Sequence, residues 1–319
     1  MQIECIDLFA GAGGLSLGLR QAGFEVRVAV DSDSCCEETY KYNHPETRFI
    51  LADISTLEQR DLQEKLSGVG PVVLAGGPPC QLFSKLNQNA EDDPKGVMAY
   101  IQVLSRVSPD YAVFENVPAI VRMKKSWSCL INAFMRLGYS ISYGVLAAKE
   151  FGVPQKRQRL IVIASKRGQV QLPTGRARIT TVRKAIGHLP EEFGFNADHF
   201  GMNLGAENLR RILAISEGGT SRSSSESFSD SYSRMEWDNL SPTITTKCIS
   251  FSNGRFGHPC YARALTVHEA SLLQGFPRSF RFRGSLWQKA RQVGNAVPPP
   301  VGRAIASCII RHAKEANNK

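Results

Sequence analysis

Short apolar runs separated by segments of helical spacing constrain this chain more than any other feature. Ile3 to Phe9, Val26 to Val30, Val72 to Ala75, Tyr111 to Phe114 and Leu160 to Ala164 are brief and rich in Val and Ile, and stretches such as Leu15, Leu17, Leu19 and Ala22 lie between them. Strands that are apolar on both faces need cover on both faces, so the pattern predicts an α/β fold, a doubly wound, mostly parallel sheet between helices. Ligands of such sheets sit at the carboxyl ends of the strands.

Three features fall at those ends. Asp7-Leu8-Phe9-Ala10-Gly11-Ala12-Gly13-Gly14-Leu15 follows the first strand, a glycine turn that lets backbone approach a ligand at a helix N-terminus. Asp31 ends the second strand and Asp53 stands at the end expected of the next strand, before Val72, both able to accept bonds from a ribose or an adenine amine. Ser16 stands where the third glycine of a dinucleotide fingerprint would be. The better fit is a nucleoside-bearing cofactor without a pyrophosphate, which S-adenosyl-L-methionine satisfies, and a nicotinamide dehydrogenase is the poorer reading.

Charge is unevenly spread. Residues 1 to 150 hold 14 Lys+Arg against 18 Asp+Glu, and residues 151 to 319 hold 25 against 11. A basic second half beside a mildly acidic first half is the pattern expected where one part meets a polyanion. No apolar run approaches the roughly 20 residues that span a bilayer, so a cytoplasmic protein without membrane contact is expected. The 8 cysteines form no Cys-x-x-Cys pair and no metal-ligand spacing with histidine, which predicts free thiols and no metal site. Cys5 and Cys308 lie in apolar runs and are read as core.

One cysteine differs. Gly76-Gly77-Pro78-Pro79 fixes the backbone just before Cys80 at a strand's carboxyl end, where a rigid turn can hold a nucleophile. Around it the sequence resembles the cytosine-C5 DNA methyltransferase family, in six blocks that occur in the family's order. These are Asp7 to Gly14; Gly77-Pro78-Pro79-Cys80-Gln81; Glu115-Asn116-Val117; Gln155-Lys156-Arg157-Gln158-Arg159; Arg263-Ala264-Leu265-Thr266 leading to Leu273-Gln274-Gly275-Phe276-Pro277; and Gly294-Asn295-Ala296-Val297-Pro298.

The resemblance implies that Cys80 adds to C6 of a cytosine turned out of double-stranded DNA, that Glu115 contacts N3, and that Arg159 lies near O2, with Arg157 a neighbouring active-site or phosphate contact. Gln155, Arg157 and Arg159 alternate along an extended segment and are expected on one face. For the cofactor it implies Phe9, Ala10, Gly11, Gly13, Asp31, Ser32, Asp53, Ile54, Pro79, Asn295 and Val297. The family usually has Glu where Asp31 stands, and often a large apolar residue where Ser32 stands. DNA contacts are expected from Gln81, Ser84, Lys85 and Gln88 after the nucleophile, and from Arg222, Arg234, Lys247 and Arg255 in the basic half.

Residues 1–172 plus 286–319 are expected to form the catalytic, cofactor-binding domain, completed by a C-terminal helix carrying Val301, Ile305 and Ile309. Residues 173–285 are expected to be a smaller, basic target-recognition domain. With the cofactor loop at residue 7, the chain reads as a bacterial or phage modification enzyme, a nucleoid-associated monomer with a possible cognate restriction endonuclease acting separately. The rivals are a transfer-RNA cytosine-C5 methyltransferase, whose Cys-Phe-Thr signature is absent, and a catalytically silent DNA-binding paralogue, which would have lost Cys80, Glu115 or the arginine pair.

Overall fold

The computed structural model describes residues 2–79, 92–190, 199–220 and 232–317. Two compact units divide the chain: residues 1–147, 158–175 and 301–319 form the first, residues 148–157 and 176–300 the second. The sequence boundaries at 172/173 and 285/286 thus compare with divisions at 175/176 and 300/301, and the second unit also takes in 148–157.

The first unit runs β1 (Ile3–Leu8), α1 (Gly14–Gln21), β2 (Phe24–Asp31), α2 (Ser34–Asn43), β3 (Arg48–Leu51), α3 (Gln59–Gln63), β4 (Val72–Gly76), α4 (Lys95–Val107), β5 (Tyr111–Asn116), α5 (Lys124–Arg136), β6 (Ser140–Ala147) and β7 (Gln158–Ser165). The sheet order is β3-β2-β1-β4-β5-β7-β6. Pairs among the first five strands are parallel, while β7 is antiparallel to both β5 and β6. Every residue of β1 and β5 is buried, as a strand with cover on both faces requires. Ile6, Leu74, Tyr100, Phe114, Phe134 and Val162 anchor one side of the core. Cys5 and Cys308 are buried, as the sequence predicts.

Among its described residues the second unit contains α6 (Val182–Ile186), α7 (Ala206–Leu213), α8 (Val267–Leu273) and α9 (Leu286–Asn295), with isolated bridges instead of a sheet. Capping boxes start α8 at Thr266 and α9 at Ser285, each such cap stabilising by about 1 kcal/mol. Ile212, Ile215, Phe251 and Ala264 form a small core. α10 (Pro299–Asn317) carries the chain back, and from Val301 onward it belongs to the first unit, where His312 meets Tyr111 Oη at 3.1 Å. Among the described residues no helix is long and apolar enough to cross a membrane.

Candidate active site

The glycine turn leaves β1 through Phe9 (φ 55°) and Gly11 (φ 53°) and enters α1 at Gly13 (φ 88°). Positive φ is strained for a residue with a Cβ. Gly13 has a second reason to be glycine: a Cβ there would stand 2.4 Å from His44 Nε2 and 2.9 Å from Tyr40 Cε2. The turn is held from the neighbouring strand, because Asp31 Oδ2 accepts the Gly11 N–H at 2.7 Å and Oδ1 accepts the Asp33 N–H at 2.8 Å. Burial raises the Asp31 carboxyl above its usual value, and these backbone bonds work against that rise.

Beneath the turn lies a string that the sequence reading missed. Ser16 Oγ donates to Asp7 Oδ2 at 2.5 Å and meets Tyr40 Oη at 2.6 Å, and all three residues are at most 1 % exposed. Burial pushes the Asp7 carboxyl up to about 7. The departure from the dinucleotide fingerprint at Ser16 was legible; its hydroxyl partners, 9 and 24 residues away, were not.

Asp53 begins the 3-10 turn Ile54–Thr56 as its cap, accepting from Ser55 Oγ at 2.7 Å and Ser55 N–H at 2.9 Å, and these bonds hold its carboxyl below the usual value. Its side chain is exposed and Ile54 is buried. Gly11 faces open space. An open glycine turn, a strand-end carboxylate steadying it, and an exposed acceptor after the next strand suit a nucleoside. Ser32 is exposed, Phe9 half-buried and Ala10 buried.

The reactive corner lies further along the sheet. β4 delivers Gly76-Gly77-Pro78-Pro79, with Pro79 exposed. Gly77 lies close against the pair, since a Cβ there would stand 3.0 Å from Glu115 Oε2 and would press that side chain aside. Glu115 and Asn116 end β5. Arg159, next to the start of β7, places its Nε 3.0 Å from Glu115 Oε1, with side chains 19 % and 11 % exposed. Asn116 gained no role from sequence, yet its Nδ2 donates to Pro78 O at 3.0 Å and its Oδ1 accepts from Val117 N–H at 2.8 Å. It therefore fixes the turn that leads to residue 80. Cys80 itself, with Gln81, Ser84, Lys85, Gln88 and Arg222, lies outside the described residues.

Two expectations are corrected. Arg157 does not share a face and a task with Arg159. It is buried in the second unit, where its guanidinium donates to the carbonyls of Ile244, Gly294 and Ala296. Gln155 joins it there, donating to Gln274 Oε1 and accepting the Ile244 N–H. The alternation predicts one face for all three, but the chain passes from the second unit to the first between Arg157 and β7, which begins at Gln158. Arg234 is likewise no DNA contact: it is 7 % exposed and donates to the carbonyls of Ile212, Ile215, His258 and Tyr261. A guanidinium buried against four carbonyls is a strut. Lys247 and Arg255 are exposed, Asn295 is exposed and Val297 half-buried.

A parallel sheet with a reversed strand near one edge, an open glycine turn and carboxylates at successive strand ends define an α/β methyltransferase of the S-adenosylmethionine-dependent class. The chain belongs to the C-5 cytosine-specific DNA methylase family, whose model matches residues 3–311. It is 37 % identical over 335 residues to the Type II methylase M.HgiDII of Herpetosiphon aurantiacus, covering 96 % of this chain and 94 % of that one. It is 33 % identical over 328 residues to the Type II methyltransferase M1.HphI of Haemophilus parahaemolyticus, covering 98 % and 87 %. Among solved structures, a prophage-encoded E. coli protein, provisionally assigned as a DNA modification methyltransferase, superposes with a TM-score of 0.80 at 25 % identity, covering 98 % and 100 %. Membership implies S-adenosyl-L-methionine as methyl donor and DNA as substrate.

Proposed function

We propose that the protein is a sequence-specific DNA (cytosine-5-)-methyltransferase that works through a covalent adduct between Cys80 and C6 of an extruded cytosine. The observation that carries this reading is the Glu115–Arg159 pair, 3.0 Å apart at adjoining strand ends and beside the Pro78–Pro79 turn. Bound at the glycine turn, Asp31, Asp53 and the Pro79 side, the donor supplies an electrophilic methyl group.

C5 of cytosine is a weak nucleophile. Addition of the Cys80 thiolate at C6 turns the ring into an enamine, with negative charge growing toward N3 and O2. Glu115, as the acid, would hydrogen-bond N3, and Arg159 would stabilise charge at O2 and favour the thiolate. An incoming base must compete with Arg159 for Glu115, so the corner rearranges when substrate enters. C5 then takes the methyl group, the C5 proton is lost to solvent, and the C6–S bond breaks to release Cys80 as the thiolate that added.

Recognition is assigned to the basic region 173–285, with exposed Lys247 and Arg255 as its base or phosphate contacts and Arg234 excluded by its burial. The resemblance to Type II enzymes supports a restriction–modification role. A duplex with 5-fluorocytosine at the target tests the mechanism, because fluorine cannot leave C5 as a proton does. The wild-type protein should form a denaturant-stable adduct that Cys80→Ser does not. Turnover of ordinary DNA without any adduct would contradict the covalent route.

A further inference from the structure

The first 121 residues hold 9 Lys+Arg against 17 Asp+Glu, and residues 116–149 contain no carboxylate. At the junction stands Arg122-Met123-Lys124-Lys125. Arg122 ends the 3-10 turn Pro118–Arg122, and the two lysines open α5. All three cations are exposed, and among the described residues none makes an ion pair.

Local stability does not account for them. A cation beside the positive end of a helix is unfavourable by about 0.3–1 kcal/mol, and α5 has no acidic residue in its first turn. Among the described residues Asp92 offsets part of this, accepting the N–H groups of Lys125 at 2.6 Å and Ser126 at 3.2 Å and attracting the Lys125 charge, while Arg122 and Lys124 gain nothing from it. Cations concentrated where they oppose the helix break a local rule, and such breaks accumulate at functional surfaces.

The island is tied to the reactive corner. Ile120, 2 % exposed, seats the turn in the core, and the turn packs against β7, the strand of Arg159. Upstream, Asn116 grips both Pro78 and Val117. A cavity of about 200 Å³ lies alongside, with Pro78, Pro79, Asn116, Met123 and Ser126 in its lining.

We propose that Arg122, Lys124 and Lys125 form a phosphate-binding platform for the DNA strand that carries the target cytosine. The inference rests on the function proposed above. A base is extruded by rotation about its own backbone, so the phosphates nearest the reactive corner are those flanking the target. Three cations fixed beside that corner hold these phosphates whatever the surrounding sequence, since a phosphate contact positions the duplex without reading it.

The test is the variant Arg122→Ala/Lys124→Ala/Lys125→Ala, compared with wild type after the recognised sequence has been mapped. The slope of log affinity against log salt should become shallower by about 2 to 3 units, with affinity at low salt reduced at least tenfold and the recognised sequence unaltered. Melting temperature should stay close to that of wild type, because all three side chains are exposed and the attraction of Lys125 to Asp92 is set against the repulsion from the helix N-terminus. Neutral methylphosphonates flanking the target cytosine should weaken binding to wild type but not to the variant, whereas the same change on the opposite strand should weaken both alike. An unchanged salt slope, or equal sensitivity of both proteins to the target-strand methylphosphonates, would overturn the platform. Methylation of the same duplex by wild type is measured in parallel: its absence refutes the function, and its presence with an unchanged slope refutes the platform alone.

Discussion

Two glutamate–arginine pairs, one in each unit, show how the same two side chains serve different ends. In the second unit Glu269 is fully buried and Arg263 grips both of its oxygens at 2.8 Å. The Thr266 N–H donates to Glu269 at 2.8 Å and His258 Nε2 approaches at 3.5 Å. Burial works against this carboxylate, but the Arg263 bonds prevail and hold it below its usual value. In the first unit Glu115 has one arginine contact among the described residues and lies against a bare glycine, with Pro79 exposed nearby. A carboxylate saturated with donors is a fixed strut; one with a single contact has oxygens to offer a substrate.

The largest effect should come from breaking the saturated pair. Arg263→Ala leaves Glu269 buried without its main partner, which is worth about 3–5 kcal/mol of stability. Thermal melting should show a loss of that size, and a variant within 1 kcal/mol of wild type by the same measurement would erase the distinction. Glu115→Gln should by contrast melt close to wild type while turnover falls about 10²- to 10³-fold, the effect typical of a lost donor to developing charge.

A smaller effect is expected at the cofactor end. Asp53→Ala should weaken S-adenosylmethionine binding about ten- to a hundredfold, as for a lost hydrogen bond to a charged group. Calorimetry on the variant checks this, and unchanged affinity would remove Asp53 from the cofactor site.

The smallest effect separates the units by pH. Burial pushes His258 down to about 4 from its usual 6.5, and its Nδ1 accepts the N–H groups of Cys260 and Tyr261, so it is held neutral. Its contribution is complete above pH 6.5 and lost as pH falls through about 4. Asp7 has the opposite sign: its folded value of about 7 exceeds the usual 3.8, so its contribution is present at low pH and lost as pH rises through about 7. Asp7→Asn should therefore gain stability relative to wild type between about pH 5 and 8. A constant difference in melting temperature across that range would contradict the sign.

Much of this was legible in the chain. Periodicity found five strands because each is a continuous apolar run, and it passed over β3, only 4 residues long, and β6, whose exposed Tyr143 and Val145 dilute its pattern. The strand-end residues Asp31, Asp53 and Glu115 stood out because turns and strand ends are local features. The arginines did not sort themselves: Arg157, Arg159, Arg234 and Arg255 look alike in sequence, and only long-range carbonyl partners separate the two struts from the other two. Asn116 and Ser16 were missed for the same reason, since their work is done through partners 38, 9 and 24 residues away.

The claim that the loosely held pair performs the chemistry is tested most directly by adduct formation with 5-fluorocytosine DNA. Wild type and Glu115→Gln are compared at equal folded fraction and saturating S-adenosylmethionine. The account predicts adduct formation at least 100-fold slower for Glu115→Gln at an unchanged melting temperature. Equal rates for the two proteins would contradict it.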